Sequence, residues 1–358
     1  VSSMHGDETT GYIMTLNLIE YLLQNYGTST RITNLVDNLE IWISPLQNPD
    51  GTYYSGNHTV TGARRFNANG VDLNRNFPDA LMGPHPDGND WQAETIIMMD
   101  FADERQIVMG ANYHGGTEVV NYPWDTWPRL HADDDWYIYT SQIYANSAQA
   151  NSPTGYMSGF NNGITNGYQW YCVHGSRQDY MNYFQYARET TIEISDVKLL
   201  PENQLEDHWN YNREAMLLYL EEALYGVQGF VTDDAGNPLS AKIEILDHDL
   251  DNSHVFSDSE LGFYSRPLAD GSYDIKFSSY GYLSHVEEDI SVNYGYSLQL
   301  DVELQQAAQF TVSGIVEDGL TGEPVINAQI EILDTPIAPV FTNETGIYQF
   351  ENVYEGSY

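Results

Sequence analysis

Hydrophobic positions in the first 224 residues follow two different periods. Apolar side chains recur at helical spacing over Thr9–Tyr26 and Leu205–Leu224, so both stretches are predicted to be helices. Between them, Leu39–Pro45 and Thr190–Ser195 are short apolar runs typical of strands in a mostly buried sheet. Helices and buried strands together predict an α/β fold for residues 1–224.

The pattern changes at Gly226, where short alternating runs separated by Gly, Pro, Asn and Asp replace the helical spacing. Three blocks of this region return at offsets of 85, 87 and 85 residues, which indicates a duplicated all-β module. The paired blocks are Val227–Val231 with Val312–Val316, Ile243–Leu246 with Ile330–Leu333, and Gly271–Tyr273 with Gly356–Tyr358. We therefore predict one β-module over 226–305 and a second, truncated copy over 308–358, with an architectural or spacer role as the simplest interpretation.

The chain is strongly acidic. Its 358 residues contain 13 Lys and Arg against 52 Asp and Glu, a formal net charge of −39 at pH 7. Such a polyanion repels phosphate backbones and anionic lipid surfaces, so neither nucleic acid nor a membrane surface is expected as a partner. The charge fits two other interpretations, solubility in a demanding medium or attraction of cationic substrates.

Cysteine usage and chain length restrict the chemistry further. Cys172 is the single cysteine, so an intrachain disulfide and a Cys-rich zinc cluster are both excluded, and a bound metal must use His and carboxylate ligands. No apolar run approaches the ~18 residues that cross a bilayer, so we expect no membrane insertion. The chain begins at Val1 without an initiator Met, and we interpret it as a fragment or a processed product.

His5 and Glu8 stand three residues apart, just before the first predicted helix. At this spacing around a turn, both side chains can face one point, as two ligands of a tetrahedral zinc ion must. Alone the pair is weak evidence, because a helix-capping Glu beside a surface His has the same spacing.

Further motifs follow in a definite order. They are Asn48–Gly51, Arg65–Asp79, Asn112–Gly116, Gly167–Tyr171, Gln178–Tyr180 and Thr191–Ser195. In this order the series resembles the zinc metallocarboxypeptidases, and within them the regulatory branch that includes carboxypeptidases N, E, D and M. The resemblance covers residues 1–224 and implies a mixed β-sheet flanked by helices, followed by transthyretin-like β-sandwich modules. It also implies one Zn²⁺ per catalytic domain and peptide or protein C-termini as substrates. The domain arrangement and the acidity suggest a secreted or extracytoplasmic location.

The resemblance assigns three zinc ligands and a carboxylate that orients one of them. His5, Glu8 and His114 match the ligands, which leaves a fourth position for water, as in other catalytic zinc sites. Asp72 matches the carboxylate that orients the first zinc-bound His. The alternative for Asp72 is a turn residue before Leu73.

Amide hydrolysis also needs a proton carrier and compensation of the developing oxyanion. Glu193 lies in an otherwise apolar strand, where an unpaired carboxylate is costly, and the resemblance makes it the general acid/base. Arg65 corresponds to the arginine that stabilises the oxyanion, although a one-residue shift to Arg64 is conceivable. Tyr171 matches, by register, the mobile tyrosine that closes over the bound terminus.

Recognition of a free C-terminus requires donors for its carboxylate. By resemblance, Asn74 and Arg75 supply an amide and a guanidinium, the alternative being hydrogen bonds at a strand end. Asp125 and Gln178 match pocket positions of basic-specific members, which predicts a preference for C-terminal Lys or Arg. A capping role for Asp125 in its loop is the competing interpretation.

Some features depart from the family pattern. The family's catalytic domain normally has further strands and a helix before the His-x-x-Glu turn, so we expect an incomplete sheet with an exposed apolar edge. His174 and Arg177 place extra cationic groups near the predicted pocket, which would weaken a preference for basic termini. Cys172 is expected to be a packing residue rather than a nucleophile.

The leading hypothesis is a zinc carboxypeptidase that releases one C-terminal residue through an activated water molecule. Two enzymatic alternatives are a carboxypeptidase of other specificity, for example for cell-wall peptides or acidic side chains, and an amidohydrolase of small acyl-amino acids. The non-catalytic alternative is a protein that binds peptides or a surface through its β-modules. The sequence does not indicate an oligomeric state.

Overall fold

A computed structural model describes residues 1–333 and 335–356, so Ser357 and Tyr358 of the third repeat block lie outside the described residues. The helices are α1 (Thr10–Asn25), α2 (Thr30–Asn38), α3 (Pro49–Thr52), α4 (Ala93–Asp103), α5 (Asp134–Ala150), α6 (Gly167–Trp170), α7 (Arg177–Tyr183) and α8 (Glu202–Glu221). The strands before Gly226 are β1 (Met109–His114), β2 (Thr117–Tyr122), β3 (Ile164–Asn166) and β4 (Arg188–Ser195). Short 3-10 turns cover Leu73–Arg75 and Glu222–Leu224.

The first region is built on a mixed sheet with the strand order β1-β4-β2-β3. Strand β1 runs parallel to β4, whereas β2 runs antiparallel to β4 and parallel to β3. All eight residues of β4 are buried, as expected for the central strand of a sheet covered on both faces. The predicted α/β fold with a mixed sheet flanked by helices is therefore confirmed.

Helices α1, α5 and α8 pack together on the sheet and enclose the main core. Their apolar faces contribute Leu18, Leu22, Tyr144 and Met216, all of which are buried. The two helices predicted from periodicity are present, with ends within a few residues of the expected ones. No helix of the described ranges combines the length and the apolar character that crossing a bilayer requires.

The strand predicted over Leu39–Pro45 is wrong. Residues 39–44 run without ladder pairing in the described structure, although Ile41 and Ile43 pack against the core. Residues of this segment and of β1 line a cavity of about 710 Å³, and the hydrogen bond from the Ser2 N–H to the Ser44 carbonyl, at 3.0 Å, does not extend into a ladder. Apolar sequence alone does not make a strand when the backbone lacks a continuous hydrogen-bonding partner.

The region after Gly226 is all-β. Its first part contains β5 (Gly226–Asp233), β6 (Lys242–Ile245), β7 (Val255–Phe256), β8 (Phe263–Arg266), β9 (Gly271–Ser278), β10 (His285–Val292), β11 (Ser297–Gln299) and β12 (Val302–Leu304). One sheet has the order β10-β9-β6-β7, and the other has the order β11-β5-β12 with β8 paired to β5. Residues of both sheets, including Val227, Ile243, Tyr264 and Phe277, share one hydrophobic core.

The strands that follow residue 308 repeat part of the pairing of β5 to β8. They are β13 (Gln309–Ile315), β14 (Gln329–Ile330), β15 (Val340–Phe341) and β16 (Ile347–Tyr354). Antiparallel β13 and β16 correspond to β5 and β8, and the β14–β15 hairpin corresponds to β6 and β7. Gly262 and Gly346 also adopt the same left-handed backbone, with φ of 73° and 72°, before β8 and β16.

Candidate metal centre and active site

The local backbone brings His5 and Glu8 to the sheet. Both residues lie in the turn that precedes α1, while His114 is the last residue of β1. An ideal Cβ at Gly6 would lie 2.3 Å from the carbonyl carbon of Gly51, so the turn packs against that backbone as only glycine allows. His5 and Glu8 therefore face the end of β1, which carries His114.

Three ligand-type atoms meet at this point. His5 Nδ1 and His114 Nδ1 are 3.1 Å apart, and Glu8 Oε2 lies 3.0 Å from the first and 2.9 Å from the second. Tetrahedral zinc with bonds of about 2.0–2.1 Å places neighbouring ligand atoms about 3.3 Å apart. All three residues are buried, and the donor set of two imidazoles and a carboxylate suits zinc.

Asp72 sets the proton position on His5. Its Oδ1 lies 3.0 Å from His5 Nε2, so the ring donates from Nε2 and its Nδ1 keeps a free electron pair. The Arg65 guanidinium donates to Asp72 Oδ2 at 2.9 Å. Burial opposes ionisation of Asp72, but the hydrogen bond and charge of His5 and the charge of Arg65 hold its pKa well below its usual range.

The second imidazole is neutral near pH 7. Burial lowers the pKa of His114 to about 4. Its Nε2 is buried and has no hydrogen-bond partner among the described residues. A neutral imidazole is the form that binds a metal ion, so the residues present fit zinc.

Glu193 lies beside this centre. In the parallel register of β1 and β4, its Cα pairs with that of His114. Glu193 is 9% exposed, and its Oε2 has no partner among residues 1–333 and 335–356. Burial, and then the charge of Glu8, raise the pKa of Glu193 well above its usual value.

The other predicted residues lie around this centre at varying exposure. Asn74 Oδ1 accepts the backbone N–H of Arg177 at 2.9 Å, which leaves its Nδ2 as the donor for a ligand. Arg75 is half-buried and donates to the Asn74 carbonyl at 2.7 Å. Tyr171 follows α6 and is 46% exposed, and burial together with the charges of Glu193 and Asp125 raises its pKa.

Asp125 and Gln178, the two residues predicted to line the substrate pocket, are buried and contact each other. Asp125 Oδ1 accepts hydrogen bonds from Gln178 Nε2 and Asn121 Nδ2, both at 3.1 Å. Gln178 is fully buried and accepts the N–H of Thr191 through Oε1, so its amide orientation is defined. An ideal Cβ at Gly167 would lie 1.9 Å from Asp125 Oδ1, so this carboxylate occupies the space above a glycine.

Sequence reasoning missed several contacts. Lys198 Nζ lies 2.8 Å from Glu8 Oε1, and Gly115 donates its N–H to Glu8 Oε2 at 3.2 Å. Asp179 accepts the backbone N–H groups of Asp125 and Thr126, at 3.0 Å and 2.8 Å. Lysine is scarce in this acidic chain, and this scarcity could have drawn attention to Lys198. The sequence contains no comparable signal for the backbone contacts of Glu8 and Asp179.

Two sequence expectations about the pocket rim are wrong. Arg177 is buried and pairs with Glu189 at 3.0 Å, so its charge is compensated rather than added to the pocket. Cys172 is exposed and lies 3.7 Å from His174 Nε2, which does not fit a packing role. His174 itself is 2.8 Å from Thr126 Oγ1 and 3.9 Å from Asp79 Oδ2.

The fold and this constellation define the class of zinc-dependent peptide hydrolases with a mixed central sheet. Residues 1–215 match the zinc carboxypeptidase family model, Peptidase_M14. The chain belongs to the zinc carboxypeptidase family and is a metallocarboxypeptidase, as the sequence resemblance implied.

Relatives and solved structures agree with this membership. Carboxypeptidase M of Mus musculus is 35% identical over 310 residues, covering 80% of this chain and 67% of that protein. Carboxypeptidase D of Homo sapiens is 34% identical over 334 residues, covering 86% of this chain and 23% of that protein. This chain therefore spans about a quarter of the carboxypeptidase D length.

Two solved structures share the fold. Thrombin activatable fibrinolysis inhibitor matches with a TM-score of 0.52 and 18% identity, over 61% of this chain and 59% of that one. Carboxypeptidase A from Helicoverpa armigera matches with a TM-score of 0.51 and 20% identity, over 61% of this chain and 58% of that one.

Proposed function

We propose that this chain hydrolyses the last peptide bond of peptides or proteins, with His5, Glu8 and His114 as ligands of one Zn²⁺. The observation that supports this most strongly is the convergence of three ligand atoms within 3.1 Å, beside the buried carboxylate of Glu193. A zinc ion held there supplies Lewis-acid polarisation and acidifies water.

Glu193 carries the protons. Its carboxylate takes a proton from the attacking water and passes it to the nitrogen of the leaving amine. The burial of Glu193 and its unpartnered Oε2 in the described structure support this role, because a carboxylate without function would be costly there.

Arg65, Asn74 and Arg75 bind and orient the substrate. The Arg65 side chain is 28% exposed, so its guanidinium can donate both to Asp72 and to the oxyanion that develops on the scissile carbonyl. Asn74 and Arg75 present donors to the terminal carboxylate. Tyr171 is exposed enough to close over the bound residue.

We further propose a preference for C-terminal Lys or Arg. Asp125 is held by the neutral amides of Asn121 and Gln178, so its charge is available to a cationic guest. Burial and the nearby charge of Asp79 raise the pKa of Asp125, and a bound cation would offset both effects. The net charge of −39 would also attract cationic termini.

The domain division follows from the same proposal. Residues 1–224 form the catalytic domain, 226–305 a transthyretin-like β-sandwich, and 308–358 belong to a second copy of this module. The repeated strand pairing supports the duplication. The acidity and the domain arrangement favour a secreted or extracytoplasmic protein.

The test is Glu193→Gln, with Glu202→Gln at the exposed start of α8 as the matched control. Release of free amino acid is followed on peptides ending in Lys, Phe, Glu and diaminopimelate, and bound zinc is quantified separately. Glu193→Gln should keep about one zinc per chain and lose catalysis by about 10³-fold or more, while Glu202→Gln keeps both. Retained turnover in Glu193→Gln rejects its role, and equal or better cleavage of Phe removes Asp125 from the pocket.

A further inference from the structure

A buried ion cluster joins the first region to the first β-module. Asp133 comes from the segment before α5, and Arg266 is the last residue of β8. Arg266 Nη1 lies 2.9 Å from Asp133 Oδ2, and Arg266 Nη2 lies 3.0 Å from Asp133 Oδ1. Arg188 Nη2 adds a contact of 2.8 Å, and His248 Nε2 adds one of 2.9 Å.

The cluster is shielded from water and balanced in charge. Asp133 is 2% exposed, and Arg188 and Arg266 are fully buried. Arg266 also pairs with Asp249 at 2.6 Å, so two arginines face two carboxylates. Low local dielectric strengthens such contacts, and hydrogen bonds from several directions hold Asp133 at one position.

Asp133 ends a segment that begins inside the predicted substrate pocket. The segment 124–133 starts with Trp124 and Asp125, and the N–H groups of Asp125 and Thr126 are bound by Asp179. Its interior is packed, since the rings of Trp124 and His131 lie 4.8 Å apart and both side chains are buried. One end of the segment thus carries the pocket carboxylate and the other end carries the ion cluster.

We propose that Arg266 is a positioning residue for the pocket: by fixing Asp133, it holds the segment 124–133 and hence the Asp125 carboxylate in the place where a basic side chain binds. This inference rests on the proposed role of Asp125. It makes the β-module a part of substrate selection rather than a spacer. Geometry at the bottom of a pocket is sensitive to displacements of about 1 Å, so loss of a distant anchor is measurable there.

The experiment compares Arg266→Met with Tyr294→Ala in the full chain. Tyr294 of the β-module stacks on Tyr139 of α5 at 3.6 Å, so its removal loosens the same interface without touching Asp133. The readouts are kcat and KM for peptides that differ only in a final Lys or Leu, and calorimetric binding of free arginine and free leucine.

Arg266→Met should lower the Lys-to-Leu ratio of kcat/KM about tenfold, mainly through KM for Lys, and weaken arginine binding alone. Tyr294→Ala should leave the Lys-to-Leu ratio of kcat/KM, and the affinity for arginine relative to leucine, within about twofold of the parent values. Equal losses on both peptides, or the same change of ratio in Tyr294→Ala, would show a merely structural interface and overturn the inference.

His248→Ala covers the case in which Arg266→Met does not fold, because it removes one contact to Asp133 and leaves both arginines. His248→Ala should lower the Lys-to-Leu ratio of kcat/KM by a smaller factor than Arg266→Met does. An unchanged ratio counts against the inference. A parent protein that releases no amino acid contradicts the proposed function, whereas selective arginine binding lost in Arg266→Met would still support the positioning role. A parent without any preference for Lys or arginine overturns the inference.

Discussion

His5 and Asp72 are separated by 67 residues and joined by a 3.0 Å contact between His5 Nε2 and Asp72 Oδ1. The contact fixes the tautomer in which Nδ1 of His5 faces Glu8 and His114. The geometry of the ligand set therefore depends on a residue outside that set.

Replacing Asp72 should weaken metal binding without removing a ligand. We expect Asp72→Asn to lower the zinc affinity about 10–100-fold, because the amide offers weaker orientation of His5. Competition with a chromophoric chelator measures this directly. Asp90→Asn, at an exposed position, is the control, and equal affinities of all three proteins would contradict the orienting role.

Gly6 is expected to tolerate no side chain. A Cβ there would lie 2.3 Å from the carbonyl carbon of Gly51 and 2.4 Å from the nitrogen of Thr52, and neither backbone atom moves easily. Gly6→Ala should destabilise the fold by about 1–3 kcal/mol and displace His5 from the other ligands. Urea unfolding and zinc titration report the two effects.

The matched control is Gly159→Ala, since an added Cβ at Gly159 meets no atom within 4 Å. This variant should resemble the parent in both measurements. A stable Gly6→Ala protein with parental zinc affinity would show that the turn can adjust.

Glu222 should make stability fall as the pH rises. It lies in the turn after α8, and burial followed by the charge of Glu221 raises its pKa from 4.5 to about 7. The folded state therefore holds the proton more tightly than the unfolded chain, and its stability declines as the pH climbs from about 4.5 through 7.

Glu222→Gln removes this titration. We expect the variant to be more stable than the parent by about 1–3 kcal/mol at pH 8, with a smaller gain at pH 5. Urea unfolding at the two pH values gives both differences, and exposed Glu202→Gln should show neither. A gain that is the same at pH 5 and pH 8 would mean that Glu222 does not titrate in this range.

Buried and exposed arginines should differ greatly in their contribution to stability. Arg188 is fully buried against Asp133, whereas the Arg31 side chain, paired with Glu214 and Glu221, is 35% exposed. Arg188→Met leaves the two buried carboxylates of Asp133 and Asp249 facing Arg266 as their one arginine in the cluster, and should cost about 3–5 kcal/mol. Arg31→Met should cost about 1 kcal/mol or less. Similar losses in the two variants would indicate that the cluster is hydrated.

The spacing of apolar residues was sufficient to predict the helices and strands that depend mainly on local interactions. The helices at 10–25 and 202–221 and the strand at 188–195 follow from apolar spacing. Residues 39–44 show the limit, because their apolar character is that of a strand while their hydrogen-bond partners are a property of the tertiary structure.

The candidate site also has parts that the sequence predicts and parts that it does not. The spacing of His5 and Glu8 by itself allows both side chains to face one point, and Glu193 is conspicuous as a charged residue among apolar neighbours. The pairing of Asp133 with Arg266 joins positions 133 residues apart, and the sequence contains no periodicity that connects them. Contacts of this kind follow from the packing of two regions, which single-sequence patterns do not encode.

The register between β1 and β4 has a practical consequence for engineering. Because His114 and Glu193 pair with each other on one rung of a parallel ladder, backbone hydrogen bonds set the distance between the proposed metal ligand and the proposed proton carrier. Asp125 and Tyr171 lie in connecting segments outside that ladder. On the proposed roles, substrate preference should therefore be open to redesign by loop exchange, while His114 and Glu193 keep the spacing that the strands set.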